Sequence, residues 1–410
     1  MQHIGPSGHG LPDELVKALP LVRHDLSRSA SAKLHTRSLT CEEIAQAADT
    51  FQRKALCNNP SYERSSVLDL ALPLAVQHEP LMHAWISCIL LATLGNTSQH
   101  RQESVIHYNQ AVSGLKTAIL MSSPTDEWKR ATALLCHAIE LLQPVPSSYL
   151  ARSHLSGAQC MFRWTGAEPN IPESEHDTLL LEAYIIRTAL NCLLQQDIHQ
   201  QLPLDYMSKL LEAHRSAMER LSLSVTPQNC PWLGALGPDL MDLIYRVSWL
   251  AINHSFAESM INAMAEAWER CISAADLGRD IRSAHGTKTY AKERSIYYLA
   301  CQALLTTLIP DVNYAMQMMV TLTGEGLGGL EAITRDYCSD STLLWPLIIF
   351  GALSSGDWHR DLCDTLMRRH QQIVPAPTLT SITTFWTGVR QMQRGKARFD
   401  DGQLIRQILL

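Results

Sequence analysis

The chain has 410 residues, of which 46% are apolar and 18% charged, with a net charge of −6 and a mean hydropathy of −0.06. That composition belongs to a folded globular protein and excludes disorder throughout. It also excludes a chain that grips nucleic acid along a basic face, which needs clustered Lys and Arg. No apolar run reaches the ~18 residues of a membrane-spanning helix; the longest, Leu343 to Leu353, carries Pro346.

In chain order, residues 1–60 read as a leader with one or two helices, partly disordered. A first helix is expected over Pro12 to Leu19, with Pro, Asp13 and Glu14 in its opening turn. The stretch Ser27 to Lys33 is polar and expected to be mobile. A second helix starts after Thr40 with Glu43 in a capping box, and Asn58-Asn59-Pro60 ends it. Met1 to Gly10 has no apolar core, so no secretory signal is expected, and the sequons at Asn96 and Asn253 are expected to go unused.

From residue 61 the apolar positions recur at spacings of three and four, and period-two alternation is almost absent. Helices are predicted at about 65–78, 80–95, 100–121, 127–142, 147–164, 174–198, 203–221, 237–273, 289–309, 311–322, 342–353, 357–373 and 379–393. Breakers separate them: Pro80, Gly95-Asn96, Pro124, Pro144, Pro146, Pro310, the glycines from Gly324 to Gly329, and Pro375 to Pro377. The 237–273 segment is long for one helix and is expected to bend or split. No repeat period is evident, which disfavours a regular solenoid. The pattern predicts an all-α, multi-helix bundle over 61–395, with a lobe break conceivable near 225–237, and a C-terminal tail or helix over 396–410.

Several constellations invite a chemical reading. His78-Glu79-Pro80-Leu81-Met82-His83 resembles a zinc-protease helix, but the histidines stand five apart, about 140° off one face, with Pro80 between them. A helix start is the better reading. Gly324-Glu325-Gly326-Leu327-Gly328-Gly329 could cradle a phosphate, yet no strand precedes it and no Lys follows, so a flexible loop is expected. Asp357, Asp361 and Asp364 share a helix face near His359 and could hold Mg²⁺ or diphosphate. With Arg360, Arg368 and Arg369 beside them, a solvated helix start is favoured. Asp400-Asp401 has no second acidic motif to complete a terpene-cyclase site. There is no G-x-S-x-G elbow, P-loop or kinase motif. Eleven cysteines are scattered from Cys41 to Cys363 with no C-x2-C pair, and read as reduced core thiols of an intracellular protein. Isolated histidines such as His137, His154, His214 and His254 read as hydrogen-bonded or surface groups.

Seven short motifs then fall into a familiar order. They are His78 to Ile86; His107-Tyr108 with Ala111 and Leu115; Leu134-Leu135 running to Glu140; His154-Leu155 with Gly157-Ala158; Leu233 to Ile244; Ile296-Tyr297-Tyr298-Leu299; and Leu344-Trp345-Pro346 to Ala352 with Arg360 downstream. In this succession the chain resembles the fungal-specific transcription factor domain, the regulatory domain of zinc-cluster transcription factors, over about residues 60–390. Read physically, the motifs are packing devices. His107, Tyr108, Ala111 and Leu115 form a stripe, expected to be buried, on which another helix can approach, and Gly157-Ala158 is expected to do the same. Trp345-Pro346 fixes a helix entry.

The resemblance implies a transcriptional regulator of a fungal metabolic or secondary-metabolite gene set, located in the nucleus, with the cytoplasm as runner-up. It implies protein partners (a zinc-cluster factor or co-regulator) or a self-dimer, and a small-molecule effector as a further candidate. Residues 1–60 hold only Cys41 and Cys57, with seven Lys/Arg and six Asp/Glu. The N-terminal six-cysteine cluster of the family is therefore missing from this sequence, and the chain is expected not to bind DNA by itself. No catalytic, cofactor-binding or metal-binding residue is singled out, and no cofactor is expected. The alternative is a helical secondary-metabolism enzyme on the same scaffold, acting on an isoprenoid or polyketide; a third reading is a pure interaction protein.

Overall fold

Leu, Ala, Met and Gln dominate the periodic segments, and their unbranched or small side chains lose little freedom in a helix. The computed structural model describes residues 71, 74–94, 98–121, 126–142, 148–162, 171–193, 202–226, 229–230, 232–253, 262–263, 265–271, 288–309, 312–336, 343–354, 357–370 and 386. Among them there is no strand. The predicted leader, the C-terminal tail, Asp400-Asp401 and all of the 379–393 helix except Trp386 lie outside the described residues.

The helices are α1 (Glu79–Leu94), α2 (Ser98–Met121), α3 (Glu127–Leu142), α4 (Ser148–Phe162), α5 (Glu175–Asn191), α6 (Tyr206–Arg220), the single turn α7 (Leu233–Leu236), α8 (Pro238–Ile252), α9 (Lys288–Thr306), α10 (Val312–Asp336), α11 (Leu344–Leu353) and α12 (Asp357–His370). The fold is all-α, as the periodicity predicts. The long 237–273 segment does split: α8 ends at Asn253, whose φ of −96° and ψ of 40° leave the helical region, and a separate helical stretch covers 265–271.

Packing runs along the chain order. α1, α2 and α3 pack on one another, and α4 lies on α3. α5 touches α3 and α4 on one side and α6 and α8 on the other. α8 leads to α9, which packs with α10 and α11, and α12 closes against α10 and α11. One apolar core extends through all of these, from Ala71 to Trp386. α11 is its most enclosed element, with every residue from Trp345 to Leu353 buried, as befits a helix apolar all round. No helix among the described residues is long and apolar enough to cross a membrane.

One expectation is overturned. The glycines from Gly324 to Gly329 form no loop; they lie inside the 25-residue α10. The reason is contact distance. A Cβ on Gly326 would stand 2.1 Å from Phe350 Cζ on α11, one on Gly329 3.3 Å from Ile296 on α9, and one on Gly324 3.2 Å from His359 on α12. Three neighbouring helices press on α10 at these glycines, and their packing outweighs the helix-breaking tendency of glycine, roughly 1 kcal/mol per residue. Gly328 meets open space. A similar approach joins α1 to α2, where a Cβ on Gly114 would stand 2.6 Å from Pro80 Cγ. Gly157, expected to admit another helix, has no described heavy atom within 4 Å of a built Cβ. Close approach there is not its role among the described residues; the neighbouring Ala158 is fully buried.

Candidate functional site

The motif residues, dispersed in sequence, meet at three junctions. At the first, Tyr108 of α2 reaches across to α4 and shares a 2.7 Å hydrogen bond with His154 Nε2, their rings edge to face. Glu140 of α3 stands beside the same phenol and hydrogen-bonds to it. Burial, then Cys136 and Glu140, push the Tyr108 hydroxyl far above its usual range. Burial alone lowers His154 to about 4, so its ring is neutral at pH 7. Next to this group His83 Nδ1 and His107 Nδ1 lie 2.8 Å apart, joining α1 to α2. Ser87 and Ser104 exchange hydroxyl–carbonyl bonds of 2.9 and 3.1 Å between the same helices.

At the second junction the four-residue α7 is clamped at both ends. Glu182 of α5 accepts the backbone N–H groups of Trp232 and Leu233 on Oε1, at 2.9 and 2.7 Å. Arg294 of α9 donates to the carbonyls of Ala235 and Gly234, at 2.9 and 3.4 Å. A carboxylate at the N-terminal turn and a guanidinium at the C-terminal turn suit the polarity of the peptide dipoles. Gly237 then turns the chain with φ of +90°, which only glycine adopts without strain, and Pro238 starts α8.

Behind this clamp three buried groups converge. One atom each from Glu182, His214 of α6 and Cys230 of the following loop lie within 4.8 Å of one another. Glu182 Oε2 and His214 Nε2 are buried and have no hydrogen-bond partner among the described residues. Burial raises the Glu182 carboxyl to about 8 despite the two backbone donors, and lowers His214 to about 4. Burial and the nearby Glu182 push the Cys230 thiol up to about 12.

The third junction is made of carbon. Tyr297 of α9 stacks on Trp345 of α11 with ring centres 5.8 Å apart and planes within 10°. A Cβ on Gly351 would stand 2.2 Å from the Trp386 ring, whose Nε1 donates to the Ile348 carbonyl at 3.2 Å. Trp345-Pro346 thus sits at the start of α11 as expected, and its tryptophan anchors α9.

Other polar links complete the frame. Arg130 of α3 pairs with Asp177 of α5 at 2.9 Å, both buried; burial raises Asp177 to about 6 while Arg130 pulls it back. Ser174 caps α5 through the Asp177 N–H at 3.0 Å and donates to Glu127. On α8, Asp242 accepts from Ser208, Arg246 and Arg270.

The other sequence candidates do not assemble into chemistry. His78 stacks on Trp128 and His83 pairs with His107, so the two histidines of the protease-like motif serve different helices. Asp357, Asp361 and Asp364 are exposed on α12, with Arg360 reaching Asp357 at 3.4 Å. The described cysteines are free thiols, all buried or half-buried. Glu182, Arg294, Cys230 and the Arg130–Asp177 pair were not singled out by the sequence. Their spacings match no motif, because each contact bridges helices far apart in the chain.

No curated protein and no solved structure matches the chain significantly. A family model of the fungal specific transcription factor domain matches residues 42–382, which takes in all three junctions except Trp386. The chain therefore belongs to the fungal-specific transcription factor domain family.

Proposed function

We propose that this chain regulates transcription of a fungal metabolic or secondary-metabolite gene set from within the nucleus. It does so as a helical regulatory domain that works through protein partners, a zinc-cluster factor or co-regulator, or through a second copy of itself. A small-molecule effector can bias such a domain only by binding one arrangement of the helices better than another. The family match along residues 42–382 carries this reading. The net charge of −6 supports contact through partners rather than through phosphates.

Two experiments test it. Fused to a heterologous DNA-binding module, the chain should change reporter expression in a fungal host; a fusion that is stably expressed and leaves the reporter unchanged argues against a regulatory domain. In a mobility-shift assay the purified chain alone should leave promoter DNA unshifted and should supershift a complex with its zinc-cluster partner. A salt-sensitive shift by the chain alone would contradict partner-mediated regulation.

A further inference from the structure

At the cluster behind α7, two residues that each carry an unpaired buried polar atom among the described residues meet at one point. His154 and His214 are both shielded from water. His154 has the Tyr108 hydroxyl at 2.7 Å. Among the described residues His214 Nε2 has no hydrogen-bond partner, and neither does Glu182 Oε2. Buried polar atoms in native proteins are nearly always satisfied. Two unsatisfied atoms at one spot, with a thiol between α6 and α7 beside them, mark a missing common partner.

We propose that Glu182, His214 and Cys230 bind a structural Zn²⁺ ion. Oxygen, nitrogen and thiolate sulfur are the three donor types zinc uses, and three residues from separate elements (α5, α6 and the loop after it) are brought to one point. Zinc bonds of about 2.0–2.3 Å put tetrahedral ligands about 3.3–3.8 Å apart. Donors now within 4.8 Å of one another reach that spacing by closing about 1 Å. Glu182 is already held by two backbone donors on Oε1, which leaves Oε2 for the metal and fixes its direction, as outer hydrogen bonds do at metal sites. The Met218 thioether, 3.6 Å from Cys230 Sγ and one turn from His214 on α6, is a further donor at the edge of the site.

Charge decides between the metals that accept sulfur. A dication with one carboxylate, one thiolate and one neutral imidazole is electrically balanced in this apolar core. Cu⁺ with the same ligands would leave a buried negative charge, which an apolar core disfavours. Bound there, zinc joins α5 and α6 to Cys230, and through the Glu182 clamp it fixes α7.

The test uses the whole purified chain. Dialysed wild-type protein should retain about one zinc per chain by elemental analysis, and chelation should lower its melting temperature by several degrees. Cobalt substituted for zinc should give a thiolate charge-transfer band in the near ultraviolet. Cys230→Ser and His214→Gln should each weaken zinc binding at least about 100-fold, and Cys230→Ser should abolish the cobalt band. Cys160→Ser, at a half-buried thiol outside the cluster, should keep both. X-ray absorption on the wild type needs no variant and should show one short sulfur among nitrogen and oxygen neighbours. Protein that holds no metal and gives no cobalt band would overturn the proposal, leaving a protonated Glu182 or a water at the cluster. So would copper in place of zinc, a shell with no sulfur or several short sulfurs, or zinc that persists undiminished in Cys230→Ser.

Discussion

The two ends of the helical array hold their motif residues together by different means. Around α2 and α4 the lock is polar: Tyr108, Glu140 and His154 in one hydrogen-bonded group, flanked by His83–His107 and Ser87–Ser104. Around α10 and α11 it is steric: Phe350 against Gly326, Trp386 against Gly351, Tyr297 against Trp345. Each therefore has its own weakness. A hydrogen-bonded lock responds to proton concentration and to loss of one partner, because the remaining group stays buried and unpaired. A steric lock is indifferent to pH and intolerant of added volume, because the close-packed surroundings cannot give way.

The largest effect should come from the steric end. Gly326→Val drives two methyl groups into a fully buried Phe350 ring and should destabilise the fold by about 3 kcal/mol or more in urea titration. Its cost should be the same at pH 7 and pH 5. Tyr108→Phe removes a hydroxyl shared by two buried groups and should cost about 1–3 kcal/mol at pH 7.

The pH response separates the two ends further. His154 sits at about 4 in the fold against 6.5 in the unfolded chain, so the unfolded state binds the extra proton and stability falls as pH drops from about 6.5 towards 4. Between pH 7 and pH 5 this group alone should remove about 2 kcal/mol. Asp177, raised by burial, acts in the opposite direction over the same range. The stability gap between wild type and His154→Gln isolates the histidine, and it should narrow by about 2 kcal/mol on acidification. An unchanged gap would mean that His154 titrates normally.

Two smaller effects sharpen the contrast. Ser174→Ala removes the cap of α5 and should cost about 1 kcal/mol. Gly328→Ala, exposed on α10 with open space at its Cβ, should stabilise the protein by about 0.5–1 kcal/mol, opposite in sign to Gly326→Val two residues away.

These two glycines also show where the sequence could be read and where it could not. Helix positions followed from apolar spacing to within a few residues, α1, α3 and α12 among them. The identity of each motif as a packing knob was legible at Tyr108 and Trp345. A run of glycines, however, carries the same signal whether it opens a loop or admits three helices, because the deciding partners, Phe350, Ile296 and His359, lie 21 or more residues from it on either side. The Glu182–His214–Cys230 cluster was hidden for the same reason. Its members are separated by 32 and 16 residues, so no local spacing betrays them; only the fold makes Glu182 and Arg294 the two ends of one clamp.

The account rests on the motif residues acting as locks between helices, and a double-mutant cycle tests this most directly. Unfolding free energies of wild type, Tyr108→Phe, His154→Gln and the double variant at pH 7 should reveal a coupling of about 1 kcal/mol or more between α2 and α4. Additivity to within about 0.3 kcal/mol would show that the two residues do not hold these helices together.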